Sequence, residues 1–152
     1  SYVRRSKRQA LHALATGGGA AAVRSMSWSE FETLIGEAFR RRSYTVEETG
    51  GNAPDGGVDL VLSKDGERHL VQCKHWRAQT VGVATVRELY GVMATQGASG
   101  GFVVTSGKYS REARNFAEGR NIELIDGEDL MLDQTRPAQR PPRSHPAKTW
   151  RR

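Results

Sequence analysis

The sequence predicts one α/β domain with a mixed central β-sheet flanked by helices on both faces. Three observations carry that expectation. Phe31, Leu34, Ile35, Ala38 and Phe39 recur at helical spacing, which makes an amphipathic helix with one apolar stripe to bury. Two short apolar runs, Val58 to Leu62 and His69 to Cys73, flank Lys64-Asp65-Gly66-Glu67, and Asp-Gly between strand patterns signals a two-residue hairpin of type I′. After the hairpin, helical and strand patterns alternate, as they do when strands enter a sheet through helical crossovers.

Taken in order, residues 1–25 are expected to form a basic N-terminal segment. A short helix over 1–15 is followed by Gly17, Gly18 and Gly19 and an Ala run, which reads as a flexible linker. The chain begins at Ser1 rather than Met, so an upstream portion is expected. The stretch Arg4-Arg5-Ser6-Lys7-Arg8 fits the cytoplasmic side of a preceding membrane helix, a tether nothing else in the sequence supports. The domain proper spans 26–133. Ser27 and Glu30 have capping-box spacing at the start of the first domain helix. A strand follows from Tyr44 to Thr49, then a Gly/Asn/Pro/Asp loop over 50–57, then the hairpin. Val86, Leu89, Tyr90 and Met93 share one face of a helix over 83–96. Gly101 to Thr105 reads as a buried strand, 110–119 as a surface helix, Ile122 to Ile125 as a last strand, and Leu130 to Leu132 as the end of a short helix. The Pro/Arg-rich tail from 134 to 152 is expected to be disordered.

Composition excludes several classes. One cysteine, Cys73, among 152 residues allows no disulfide framework and no cysteine-based zinc site, and a reducing, cytoplasmic setting is the simplest expectation. No apolar run approaches membrane-spanning length and no signal-peptide pattern is present. The net charge of +6 suggests nucleic acid, but five basic residues lie in 1–25 and six in 134–152, with no acids in either. The middle keeps 12 basic side chains against all 17 acidic ones. The tails suit non-specific phosphate contact or simple solvation equally well, so DNA binding has to be argued from the site.

The hairpin register supplies a site. With Asp65 and Gly66 as the turn, Lys64 pairs with Glu67, and Asp59 falls opposite Gln72. Alternation then puts Asp59, Gln72 and Lys74 on one side of the hairpin and Val58, Leu60, Val71 and Cys73 on the other. Their neighbours Leu60, Val61, Leu62, Leu70 and Val71 are apolar on both faces, which implies a buried strand pair. A carboxylate, a carboxamide and an ammonium at one end of such a pair are costly unless something uses them. Glu32 sits on the shoulder of the first helix's apolar stripe, placed either to reach the rim of the sheet or to remain an ordinary surface residue. Cys73 faces the core in this register rather than acting as a nucleophile.

The segments Trp28-Ser29-Glu30-Phe31-Glu32, Gly56-Gly57-Val58-Asp59-Leu60 and Val71-Gln72-Cys73-Lys74 are followed by Val81-Gly82-Val83 and Val86-Arg87-Glu88-Leu89. In this order they resemble the Mrr-like restriction endonuclease domain of the PD-(D/E)XK nuclease superfamily, over roughly residues 26–130. The resemblance implies a restriction-endonuclease-like core and a metal-dependent DNA endonuclease, with double-stranded DNA as partner and restriction of foreign or modified (methylated) DNA as role. DNA repair or junction cleavage, and a non-catalytic DNA-binding module, are the alternatives. It implies a metal-binding Asp at Asp59, a Gln-x-Lys half-motif at Gln72 and Lys74, and the helix glutamate at Glu32. The literal Pro54-Asp55 pair is then a decoy in the loop, although Asp55 has a lesser claim to approach the metal. Gln72 stands where many superfamily members carry Asp or Glu, and brings an oxygen without a charge.

For such a site Mg²⁺ is expected, with Mn²⁺ able to substitute, held by Asp59, Gln72, the Cys73 backbone carbonyl and Glu32 directly or through water. No small-molecule cofactor is expected. Lys74 would orient or help deprotonate the attacking water. His75 and Trp76 stand either against DNA or packed at the rim. Ser106 and Lys108, in a loop after a strand, are candidates for a phosphate contact, and Gln96 near the end of its helix is a further candidate. A homodimer would suit cutting of both strands, but the sequence shows no clear interface.

Overall fold

In the computed structural model the described residues are 19–48, 57–75 and 80–129. The loop with Pro54 and Asp55, Trp76, the helix expected over 1–15, Leu130 to Leu132 and the 134–152 tail lie outside them. The helices are α1 (Gly19–Ser25), α2 (Trp28–Arg41), α3 (Val83–Gln96) and α4 (Arg111–Ala117). The strands are β1 (Thr45–Glu48), β2 (Leu60–Lys64), β3 (Glu67–Lys74), β4 (Thr80–Val81), β5 (Gly100–Thr105), β6 (Lys108–Tyr109) and β7 (Ile122–Ile125).

The five-stranded sheet has the order β1-β2-β3-β5-β7. Its first three strands form an antiparallel meander, while β5 and β7 join in parallel. The meander depends on the Asp65-Gly66 turn, where φ is 52° and 79°; positive φ at both central residues is what a type I′ hairpin needs. Lys64 therefore pairs with Glu67, and the register runs through to Leu60 opposite Val71, as the sequence predicts.

Helices cover both faces. On one, α1 and α2 bury Val23, Met26, Phe31, Leu34, Ile35 and Phe39 against Leu60, Leu62, Val71, Cys73, Phe102 and Val104. On the other, α3 and α4 bury Val86, Leu89, Met93, Ala113 and Ala117 against Leu70, Val103 and Ile122. The fold class expected from the sequence is the one observed. Helix α2 starts where the capping pattern puts it: Ser27 is the N-cap and its Oγ accepts from the Glu30 amide at 3.2 Å, satisfying a donor the first turn leaves unpaired.

Three local expectations are corrected. Residues 19–25 form α1 rather than a linker, because Val23 and Met26 are buried in the core and the Ala run has high helix propensity. Val58 does not share a face with Leu60. It packs into the cluster of Leu70 and Val86, since the regular β2 pleat begins only at Leu60. A second, two-stranded sheet joins β4 to β6 in parallel, too short to leave a strand pattern in the sequence.

Helix α3 approaches the sheet at a glycine. A Cβ on Gly101 would lie 2.6 Å from Met93 Sδ and 3.1 Å from Leu89 Cδ2, closer than carbon tolerates. Gly101→Val is expected to cost about 1–3 kcal/mol by overpacking, read as a lower urea midpoint with an unchanged m-value. A pH effect arises beside it. His69, edged by Tyr44 and Phe102, has its pKa lowered from the ordinary 6.5 by burial, with Glu67 opposing and Lys64 reinforcing that shift. The neutral ring therefore stabilises the fold above the unfolded-state value, and that contribution is lost as pH falls through the folded one. His69→Gln is expected to flatten the fall in urea midpoint between neutral pH and about pH 5. An unaltered slope would assign that fall to the carboxylates.

Candidate active site

The site forms where β2 has not yet begun and β3 continues. Asp59, one residue ahead of β2, donates its amide to the Val71 carbonyl at 2.9 Å, which corrects its expected place directly opposite Gln72. Regular pairing stops at Leu60 opposite Val71, and Asp59 is an extra residue against Val71, as in a β-bulge. Beyond it the Asp59 side chain replaces a strand partner: its Oδ2 accepts from the Cys73 amide at 2.7 Å. In an antiparallel strand a residue's N–H and C=O project toward the same flank. The Cys73 carbonyl therefore shares the Asp59 flank. Lys74, the last residue of β3, faces the other neighbour, and its carbonyl accepts from the Ser106 amide at 3.4 Å.

Electrostatics concentrate there. Asp59 is buried, with 6% of its surface exposed. Burial pushes its pKa up, against the Cys73 amide bond and the Lys74 charge, which both pull it down. The charges of Asp59 and Glu32 both act on the buried Cys73 thiol and, behind desolvation, help hold its pKa well above the usual range. That thiol lies in the apolar layer under α2 and stays protonated, which suits a core residue and not a nucleophile.

Gln72 is the least expected member. It is 1% exposed, and among the described residues neither its Oε1 nor its Nε2 has a hydrogen-bond partner. An unpaired buried polar group costs about 1–3 kcal/mol, so an apolar side chain would serve a purely structural strand better. Gly57, at φ +63°, makes room for it: a Cβ there would lie 3.2 Å from Gln72 Nε2.

These groups bear on a divalent cation. Among the described residues no three His, Cys, Asp or Glu side chains gather as a metal cage. The donors at hand are instead one carboxylate, one unpartnered carboxamide oxygen and one backbone carbonyl, all oxygen. A hard cation that keeps several of its own waters accepts such a set, and the orphaned Gln72 carboxamide fits it. Glu32, half-buried on α2, stands at the edge of this group within charge range of Cys73.

The remaining candidates divide. His75 does not present a free edge to solvent. Its ring stacks on Phe31 with centroids 4.5 Å apart, and its nitrogens meet the Met26 carbonyl and Ser106 Oγ. Ser106 is 3% exposed, so the expected phosphate contact is corrected: its hydroxyl is turned inward to His75. Lys108 is exposed on β6. Gln96 ends α3 at the far end of the sheet, because β5 must begin again there to run parallel to β3. It is thereby separated from Lys74 by about the length of the helix, roughly 20 Å. Sequence reading treated His75 and Ser106 singly and missed that they meet, since β5 brings them together from distant parts of the chain.

A family model described as restriction endonuclease (Mrr_cat) matches residues 23–132. The type IV methyl-directed restriction enzyme EcoKMrr of Escherichia coli (strain K12) is 34% identical over 115 residues, covering 70% of this chain and 37% of that protein. The chain thus spans a little over a third of the length of that curated relative. Among solved structures, the DNA modification-dependent restriction endonuclease AspBHI is similar with a TM-score of 0.57 at 16% identity, over 85% of this chain and 35% of that one. A repair endonuclease from Pyrococcus abyssi is similar with a TM-score of 0.50 at 18% identity, over 67% of this chain and 47% of that one. At those identities the two structures establish a shared restriction-endonuclease-like fold. With the model matching most of its length, the chain belongs to the Mrr-type restriction endonuclease family.

Proposed function

We propose that this chain is the catalytic part of a metal-dependent endonuclease that hydrolyses phosphodiester bonds in double-stranded DNA, acting in restriction with methylated DNA as its substrate class. The observation that carries the reading is the buried Gln72 carboxamide, unpartnered among the described residues, in the residue just before Cys73, whose amide holds the buried Asp59 carboxylate. A binding module that merely kept the fold would gain by replacing both. The substrate class rests on the 34% identity to a methyl-directed enzyme. The repair alternative has only a shared fold behind it, and fold does not determine substrate.

In this reading Asp59, the Gln72 Oε1 and the Cys73 carbonyl would hold Mg²⁺ or Mn²⁺, with Glu32 reaching it directly or through water. When bound, such an ion lowers the pKa of water and offsets charge on the phosphate. The chain's own groups do the rest. Lys74 orients the attacking water; as the amine it takes that water's proton, and the ammonium so formed balances charge that develops on the phosphoryl oxygens. Glu32 at the rim fixes water on the open side. Holding Asp59 against the Cys73 amide presets the carboxylate, so little reorganisation is left for the reaction itself.

The test is nicking of supercoiled plasmid, methylated and unmethylated, with Mg²⁺ or Mn²⁺ and with EDTA. Cleavage that needs the cation and prefers methylated plasmid is expected. Cation-dependent cleavage without that preference would move the substrate class toward repair or junction DNA. DNA binding with no cleavage under any cation would favour the binding module.

A further inference from the structure

We propose that His75 is a positioning residue that clamps the two halves of the candidate site, α2 with Glu32 and β3 with Gln72 and Lys74, and thereby sets the affinity for the cation. The proposal rests on the metal-dependent reading above. Glu32 and Lys74 belong to different layers and are distant in the chain, so something between the layers must fix their separation if both serve one ion.

His75 is placed to do this. It follows Lys74 directly and leaves the end of β3 toward α2. Its ring lies on that of Phe31, tilted by only 20°. Phe31 is fully buried and adjoins Glu32 in the chain, so the stack fixes the height of the helix turn that carries Glu32. Nε2 meets the carbonyl of Met26, the residue just before the Ser27 N-cap. Nδ1 lies 3.0 Å from Ser106 Oγ. Ser106 follows Thr105, which pairs with Lys74 in the parallel ladder.

The hydrogen-bond roles follow from the partners. A carbonyl only accepts, so Nε2 carries the proton and donates to Met26. In the neutral ring Nδ1 then accepts from the Ser106 hydroxyl. Both nitrogens are committed within the protein, which removes His75 from direct contact with DNA or metal. One side chain therefore touches the start of α2, the helix turn of Glu32 and the end of β5, while its backbone continues Lys74. Groups that orient a metal's ligands from behind govern affinity in this way.

The two bonds separate by substitution. The amide of His75→Gln reaches the Nε2 position and retains the Met26 bond, whereas that of His75→Asn reaches only the Nδ1 position and loses it. The experiment is calorimetric Mn²⁺ titration of the whole chain, with urea midpoints and metal-free DNA affinity measured on the same variants. His75→Asn is expected to weaken Mn²⁺ binding by about tenfold or more and His75→Gln by less than about threefold, both with unchanged DNA affinity. In cleavage, the deficit should appear in the cation concentration needed for half the maximal rate and not in KM for DNA.

Mn²⁺ binding by His75→Asn equal to wild type would overturn the clamp. So would losses that are equal in the two variants and follow the urea midpoint, the mark of a merely structural ring. If His75→Asn does not fold, His75→Leu decides, since it fills the ring's place against Phe31 and makes neither bond: Mn²⁺ binding weakened by about tenfold or more supports the clamp, and binding equal to wild type overturns it. Wild-type chain that binds no Mn²⁺ overturns the metal-dependent reading itself, and the clamp with it.

Discussion

Replacing Lys74 with alanine is expected to slow DNA cleavage by about 10³-fold, within the range spanned by general acid–base and charge-stabilising groups, while the domain stays folded. The side chain is only half-buried, and what β3 contributes at this position is its carbonyl bond to Ser106, which alanine retains. The loss should lie in kcat, because Lys74 acts on the water and on charge that appears in the transition state. Lys74→Arg is expected to recover little. A guanidinium keeps the charge but holds its protons too tightly to exchange one. The measurement is single-turnover cleavage with circular dichroism as control. A drop that follows loss of secondary structure would assign Lys74 to the fold.

Asp59→Asn is expected to act in opposite directions on function and stability. Cation affinity should fall by about 100-fold or more, beyond the loss that follows removal of a supporting outer-sphere group, and cleavage with it. In EDTA, however, the variant should have a higher urea midpoint than wild type. Burial opposes the ionised carboxylate, which is why its pKa is raised. Asparagine presents the same acceptor to the Cys73 amide without a charge to bury. A site residue that costs stability when its ligand is absent is the usual trade between the two. Lower stability in EDTA would mean that the carboxylate serves the fold.

Much of this arrangement was legible in the chain because it rests on local rules. Asp65-Gly66 sets a turn, and the turn sets the register as far as Leu60 opposite Val71, but Asp59 then bonds Val71 and does not follow that register to Gln72. The Phe31 to Phe39 stripe and the Ser27 cap fix α2, and with it Glu32. What escaped was whatever depends on contacts distant in sequence or on departures from regular geometry. Val58 looked like a strand residue, but the pleat starts two positions later. The glycines before α1 outweighed Val23 and Met26, whose burial against the sheet orders that turn. Ser106 read as a loop residue and a candidate for a phosphate contact. Only the parallel pairing of β5 with β3 brings its hydroxyl to His75. The buried isolation of the Gln72 carboxamide was likewise out of reach, since it depends on the room that Gly57, on a separate stretch of backbone, leaves for it.

Crystals of the chain soaked in Mn²⁺ would test the central claim most directly, through the anomalous signal of the ion. The account predicts one strong peak on the flank of β3 toward Asp59, bound by the Asp59 carboxylate, the Gln72 Oε1 and the Cys73 carbonyl, and lost in Asp59→Asn crystals. A flank without a peak at saturating Mn²⁺, or a peak that persists in Asp59→Asn, would contradict it.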